Sequence, residues 1–227
     1  MAAVFAHLSL LQLVLVTAAA MFTSIVGGVA GYGTGLLMPL VLVPILGPEP
    51  VVPIMAIAAL IINAGRVAAF RKSVDLRRSL IVLATAIPAC MLGAWFYTRL
   101  TGTGVQLLIG TVLVLSVPLR RILRSYGFSL GEGGLVLGAA GFGAVSGAAA
   151  GTGVILVSLL MASGLTGAAV IATDAAISFV VHLVQSAVFG VAGVLNAKVV
   201  AIAALIGLCS IPVSLRWSAA ASSPMSQ

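Results

Sequence analysis

Charge is what this chain has least of. Only 7% of its 227 residues are Asp, Glu, Lys or Arg, and only four are acidic. A soluble domain carries about 25% charged residues, so a water-soluble fold of this length would lack the polar surface to cover itself. Disorder is excluded from the other side, because it needs low hydrophobicity and this chain is 62% hydrophobic with a mean hydropathy of +1.30. Cysteine is scarce too. Cys90 and Cys209 both fall inside apolar runs, and neither their number nor their spacing suggests a disulfide framework or a metal site. No Lys or Arg precedes Arg66. The first apolar run therefore lacks the positive segment of a signal peptide, although Ala18-Ala19-Ala20 follows it, and residues 1–28 are expected to be a true span.

What the chain does have is long apolar runs. A membrane-crossing helix takes about 20 apolar residues. A transmembrane β-barrel would instead show alternating segments of about ten residues. Continuous runs therefore predict an all-α integral membrane protein, a helical bundle of about seven spans in one domain over residues 1–217, with a disordered tail at 218–227. The 11 basic against four acidic residues give a net charge of +7. In a soluble protein this would suggest nucleic acid. Here the basic residues fall in short loops between spans, where the positive-inside rule expects them, and no nucleic-acid partner is expected.

The runs repeat. Leu8–Gly28 is followed by the glycine-rich stretch Gly27 to Gly35, a short apolar piece Leu36–Leu46, and the turn Gly47-Pro48-Glu49-Pro50. Full spans follow at Val51–Phe70, Ser79–Tyr97 and Val105–Leu119. Then Gly134–Ala149 leads to a second break, Gly151-Thr152-Gly153, a short piece Val154–Ser163, and spans Thr166–Gly190 and Lys198–Leu215. Gly33-Thr34-Gly35 precedes its counterpart by 118 positions, Cys90 precedes Cys209 by 119, and Val74-Asp75-Leu76-Arg77 precedes Leu195-Asn196-Ala197-Lys198 by 121. Two copies, about 8–119 and 133–217, share one order of elements, the second lacking a partner for the fourth span. Duplication with interrupted helices is a signature of secondary transporters. The flank left open by the missing span is one that a second copy of the chain, in a homodimer, could cover.

The loops at 71–78 and 120–124 hold seven basic residues and are expected on the cytoplasmic side. If each broken element crosses fully, Lys198 lies inside and Arg216 outside; if each is a re-entrant hairpin, the two exchange sides. Both arrangements place eight basic residues inside and two outside, so charge does not choose. The hairpin arrangement makes the copies inverted, a layout alternating access often uses, and is preferred on that ground.

Three groups of residues could carry chemistry. Non-helical backbone at membrane depth survives only when buried in protein or lining a polar cavity. Breaks at Gly31, Gly33 and Gly35, and at Gly151 and Gly153, would leave free N–H groups that hold an anion without a basic side chain. Thr34 and Thr152 would add hydroxyls. The alternative is close helix packing, since Gly143, Gly147 and Gly151 have small-xxx-small spacing.

Second, Asp174, Ser178, His182 and Gln185 lie at about 0°, 40°, 80° and 20° around one helix, so they share a narrow face. An ionised Asp at mid-span costs about 2.5–3.5 kcal/mol on insertion scales. These four residues are expected to couple or gate transport or to hydrogen-bond the substrate. The alternatives are an Asp174 solvated near the span end and a core His182 bonded to Ser178. Third, Asn63 and Arg66 share one face of the second span. Arg66 could pair with an anion or with Asp174 of the other copy, or could snorkel to the surface. No cofactor or metal is implied.

A rival reading is an intramembrane serine hydrolase using Ser146 and His182. The expected Gly-x-Ser-Gly has Ala144 in its first position, and a protease gives no reason for paired breaks. A non-transporting scaffold leaves the buried polar stripe without a purpose.

The stretches Gly31-Tyr32-Gly33-Thr34-Gly35-Leu36-Leu37-Met38-Pro39-Leu40 and Gly147-Ala148-Ala149-Ala150-Gly151-Thr152-Gly153, the latter with Ala169-Val170-Ile171-Ala172-Thr173, resemble the TauE/SafE (sulfite exporter) family over about residues 8–215. The chain departs from the family pattern in several places. Alanines stand at 149 and 150, no proline follows the second short helix, Asp174 replaces a small hydroxyl residue, and an eighth span is missing. The resemblance implies export of a small sulfur-containing or organic anion, such as sulfite, thiosulfate or sulfoacetate, across a bacterial cytoplasmic membrane.

Overall fold

A computed structural model describes the backbone of residues 10–30, 33–125 and 131–221, and the side chains of 11–26, 35–115 and 131–212. Every regular element among the described residues is helical. They are α1 (Leu10–Ala30), α2 (Gly33–Leu46), α3 (Val51–Phe70), α4 (Leu76–Tyr97), α5 (Gly102–Ser125), α6 (Glu132–Ala148), α7 (Gly153–Ala162), α8 (Gly167–Val191) and α9 (Ala197–Ala221), with one 3₁₀ turn at Arg71–Ser73. The helices α3 (continued through the 3₁₀ turn), α4 and α8 are long and apolar enough to cross a membrane. The tail expected from 218 overlaps the last turn of α9, and 222–227 lie outside the described residues.

Proline and glycine place most of the punctuation. Pro48 and Pro50 separate α2 from α3, while Pro39 and Pro44 sit within α2. Gly47, Gly151, Gly164 and Gly193 have positive φ and stand at the end of α2, before α7, after α7 and after α8. The start of α4 is capped by Asp75, whose carboxylate accepts from the Arg78 N–H at 2.9 Å, and α9 is capped by Asn196, which accepts from the Val199 N–H at 2.9 Å.

Helix α3 packs on α8 and α9, and α4 packs on α6 and α8, while α1 lies on α2 and α9. The first apolar cluster gathers Val16, Met38, Leu42, Ile54, Phe189 and Ile206, and the second gathers Val82, Cys90, Phe142, Leu156, Leu160 and Ile177. Polar contacts give the helices their directions. Arg66 near the end of α3 meets Asp174 near the start of α8, so α3 and α8 run antiparallel. Arg77 pairs with Glu132 at the start of α6, and Arg78 reaches the Ser163 carbonyl at the end of α7 at 2.7 Å. Both ends of the α6–α7 pair therefore sit beside the start of α4. The second broken element is a hairpin that returns to the side it left.

Candidate functional site

The two glycine breaks touch. A Cβ on Gly35, in the first turn of α2, would lie 3.1 Å from Gly151 Cα, and a Cβ on Gly151 would lie 3.2 Å from the Gly35 carbonyl oxygen. Gly151 also has φ of 90°, which a side chain disfavours. A side chain at either position would push the facing backbone back by a few tenths of an ångström, and at Gly151 it would carry the strain of the positive φ as well. The break turns α6 into α7. Thr152 starts α7, its carbonyl accepting from the Ile155 N–H at 2.9 Å; its side chain is buried and makes no bond to the helix it caps. Gly153 is the first residue of α7 and Gly33 the first of α2. Gly31 and the Thr34 side chain lie outside the described residues.

Glycine spacing splits between two roles. A Cβ on Gly143 would collide with the Ala86 carbonyl, and one on Gly147 with the Cys90 carbonyl, with the Ala94 nitrogen at 2.7 Å. Gly93 of α4 answers from the other side against Ala144. These are close-packing glycines. Gly151, one spacing further on, serves the break instead.

The polar stripe of α8 faces inward as its angles predict. Asp174, Ser178 and Gln185 are buried, and His182 is half-buried. Asp174 is only 2% exposed. Its Oδ2 accepts from Arg66 Nη1 at 3.3 Å, and the same Nη1 donates to Asn63 Oδ1 at 3.3 Å. The Arg66 side chain is 11% exposed, so it turns into the bundle and does not snorkel. Asp174 Oδ1 and Arg66 Nε are buried with no hydrogen-bond partner.

Further along the face, Gln185 Nε2 donates to the carbonyls of Ser146 and Gly147 at 2.9 and 3.0 Å. Those carbonyls belong to the last turn of α6, where helical partners run out. With its amide hydrogens so placed, Gln185 presents Oε1 to His182 Nδ1 at 3.0 Å; the bonding assigns the proton to Nδ1. His182 is thus bonded to Gln185, not to Ser178. The Ser146 hydroxyl is buried without a partner, so the hydrogen bond of a Ser–His dyad is not formed.

The ties at the basic end are not legible in the sequence. The Asp75 N–H donates to Thr173 Oγ1 at 3.0 Å, and Arg78 bridges Asp75 Oδ2 at 2.7 Å to the Ser163 carbonyl. Asp75 before an apolar run is a readable N-cap signal, but its partner on α8 is not. Asp75 is held below the usual carboxylate range chiefly by the Arg78 backbone N–H; partial burial opposes this, and the Arg78 guanidinium adds to it. Among the described residues no cluster of His, Cys, Asp and Glu could hold a metal ion.

The family model for the sulfite exporter TauE/SafE matches residues 16–225. No curated protein and no solved structure matches the chain. The matched stretch contains both breaks, the Arg66–Asp174 pair and the His182–Gln185 contact. The chain belongs to the sulfite exporter TauE/SafE family, a family of multi-pass membrane transporters of sulfur anions.

Proposed function

We propose that this chain is a secondary transporter of a small sulfur-containing or organic anion, exporting sulfite, thiosulfate, sulfoacetate or a similar species across a bacterial cytoplasmic membrane. The anion binds where the breaks meet, on backbone N–H groups at Gly31, Gly33, Gly35, Gly151 and Gly153, on the hydroxyls of Thr34 and Thr152, and beside Asn63 and Arg66. The observation that carries this reading is the backbone contact of Gly35 with Gly151. It sets the N-termini of two short helices against each other, and a helix N-terminus favours negative charge.

Alternating access needs two related halves, and the packing supports them. Helix α1 lies on α9 as α6 lies on α4, and α3 lies on α9 as α8 lies on α4. Each pair joins the same two elements with the copies exchanged, as a two-fold relation would give. The matched caps Asp75 and Asn196 agree. The ends differ. At the basic end Asp75, Arg78, Thr173 and Ser163 tie the halves together. At the opposite end a cavity of about 320 Å³ separates the α2–α3 turn from the α8–α9 turn, lined by Glu49, Pro50, Ile54, Asn196 and Lys198 among others. On this reading the basic end is the closed one.

The test is flux in proteoliposomes of sulfite, thiosulfate, sulfoacetate and an unrelated carboxylate. Saturable flux of a sulfur anion is expected. The Gly151→Ala variant should lose it while staying folded, because αL strain of about 1–2 kcal/mol falls on the break itself. Absence of flux for all four anions from folded protein would overturn the reading.

A further inference from the structure

The Arg66–Asp174 pair is held by less than its chemistry allows. A guanidinium and a carboxylate commonly meet through two parallel bonds. Here they share one contact of 3.3 Å through Nη1, which Asn63 also uses. Asp174 Oδ1 is left as a buried acceptor and Arg66 Nε as a buried donor, neither with a partner. Leaving such groups unsatisfied in a water-poor interior costs several kcal/mol. Their types are complementary to two different species: a carboxylate oxygen takes a proton, and a guanidinium N–H takes an anion oxygen.

Charge balance points the same way. Arg66 and Asp174 sum to zero. A monoanion entering on Arg66 would leave one uncompensated negative charge where ions are poorly solvated. A monoanion arriving with a proton leaves none.

Resting on the transport reading above, we propose that the protein carries a proton together with the anion, so that export runs down the anion's own gradient and not on an inward proton gradient, that the proton sits on Asp174 Oδ1, and that Arg66 passes from Asp174 to the anion when it arrives. The step balances: water on the side of entry gives up a proton, an O–H bond forms on Asp174 and its ionic contact to Arg66 breaks, the guanidinium takes up the anion, and on the other side the proton returns to water as the anion leaves, with no change of oxidation state.

The other groups around Asp174 do not substitute for it. Helix α3 presents Arg66 and Asn63. The 3₁₀ turn packed on α8 presents Arg71 and Lys72, both exposed, α7 presents no titratable side chain, and the segment before α4 presents Asp75, whose backbone N–H is held by Thr173 and whose carboxylate is engaged by Arg78. Helix α4 presents Cys90, which bonds the Val181 carbonyl at 3.7 Å, and α6 presents Ser146. On α8 itself His182 is the other titratable group, two turns further on. Its Nδ1 is committed to Gln185, and a proton on its Nε2 would release nothing that holds Arg66. Of these groups, protonation of Asp174 is what removes the charge holding the guanidinium, leaving it only its neutral contact with Asn63.

The experiment uses the full chain in proteoliposomes carrying a trapped pH indicator, with sulfite and sulfoacetate as probes. In the wild type, addition of a transported probe should move protons in the same direction. A pH gradient should drive a monoanion uphill by about tenfold per pH unit for one-to-one movement. Asp174→Asn should keep downhill flux or counterflow and lose both uphill accumulation and the pH signal. Because the wild-type pH signal needs no variant, a failure of Asp174→Asn to fold does not protect the proposal. Saturable anion flux without proton movement overturns it and leaves the transport reading standing. So does a coupling that survives Asp174→Asn and disappears in His182→Gln. Absence of flux for both probes overturns it together with that reading.

Discussion

At the scale of single residues, the buried pair makes the firmest prediction. Arg66→Met or Asp174→Leu alone leaves an uncompensated charge between α3 and α8 and should lower stability by about 3–5 kcal/mol, whereas the double change should restore most of it. Thermal unfolding in detergent checks this. If the two single losses simply add, the pair is not what couples these helices. Asp75 makes a second prediction, in pH. Its folded pKa lies below the ordinary value, so its contribution is present above the unfolded pKa and lost as pH falls through the folded one. Asp75→Ala should cost about 1 kcal/mol at neutral pH through loss of the cap. Asp75→Asn should keep the cap, as Asn196 does for α9, and remove that step from the acid limb of the stability profile. Both residues were visible in the sequence as types: a charge inside an apolar run, and an Asp before one. The pairing of Arg66 with Asp174 was one of three readings the sequence allowed. Choosing among them took the antiparallel crossing of α3 and α8, which sets residues 108 positions apart side by side.

At the scale of elements, glycine decides how close helices come. Gly147→Ala forces a Cβ into the α4 backbone, and backbone has no rotamer to yield, so a loss of about 1–3 kcal/mol is expected. Gly141→Ala, on the same helix with open space around it, should be neutral or slightly stabilising through helix propensity. Denaturant titration of the two variants side by side measures the difference. The spacing Gly143, Gly147, Gly151 is uniform in sequence, yet two members pack and the third breaks the chain. Periodicity shows that small residues share a stripe. It does not show where the stripe leaves its neighbour, because that depends on the length of α4 and on where Gln185 meets the α6 carbonyls.

At the scale of the whole molecule, the hairpin at α6–α7 sets which segments share a side. Cysteines introduced at Gly133 and Thr166, both exposed, should be labelled by an impermeant thiol reagent from one side of the membrane. One at Asn196 should be labelled from the other, against a background in which Cys90 is buried and Cys209 is half-buried. Labelling of 133 and 166 from opposite sides would mean that the broken element crosses. Charge alone does not separate these arrangements, because moving one basic residue in and another out leaves the total unchanged. The contacts of Arg77 with Glu132 and of Arg78 with Ser163 break the tie, since they fix both ends of one element to a single helix end.

The sequence by itself determined the solvent, the class and the family. Hydropathy over runs of about 20 residues is a local property that no packing reverses, and the glycine and proline breaks are properties of the backbone at those positions. The tertiary structure decided what meets what: Gly35 against Gly151, Arg66 against Asp174, and Gln185 against the end of α6. Each is a contact between residues far apart in the chain and near in space. Its existence depends on the direction and depth of whole helices, which a one-dimensional pattern of apolar and polar residues does not encode.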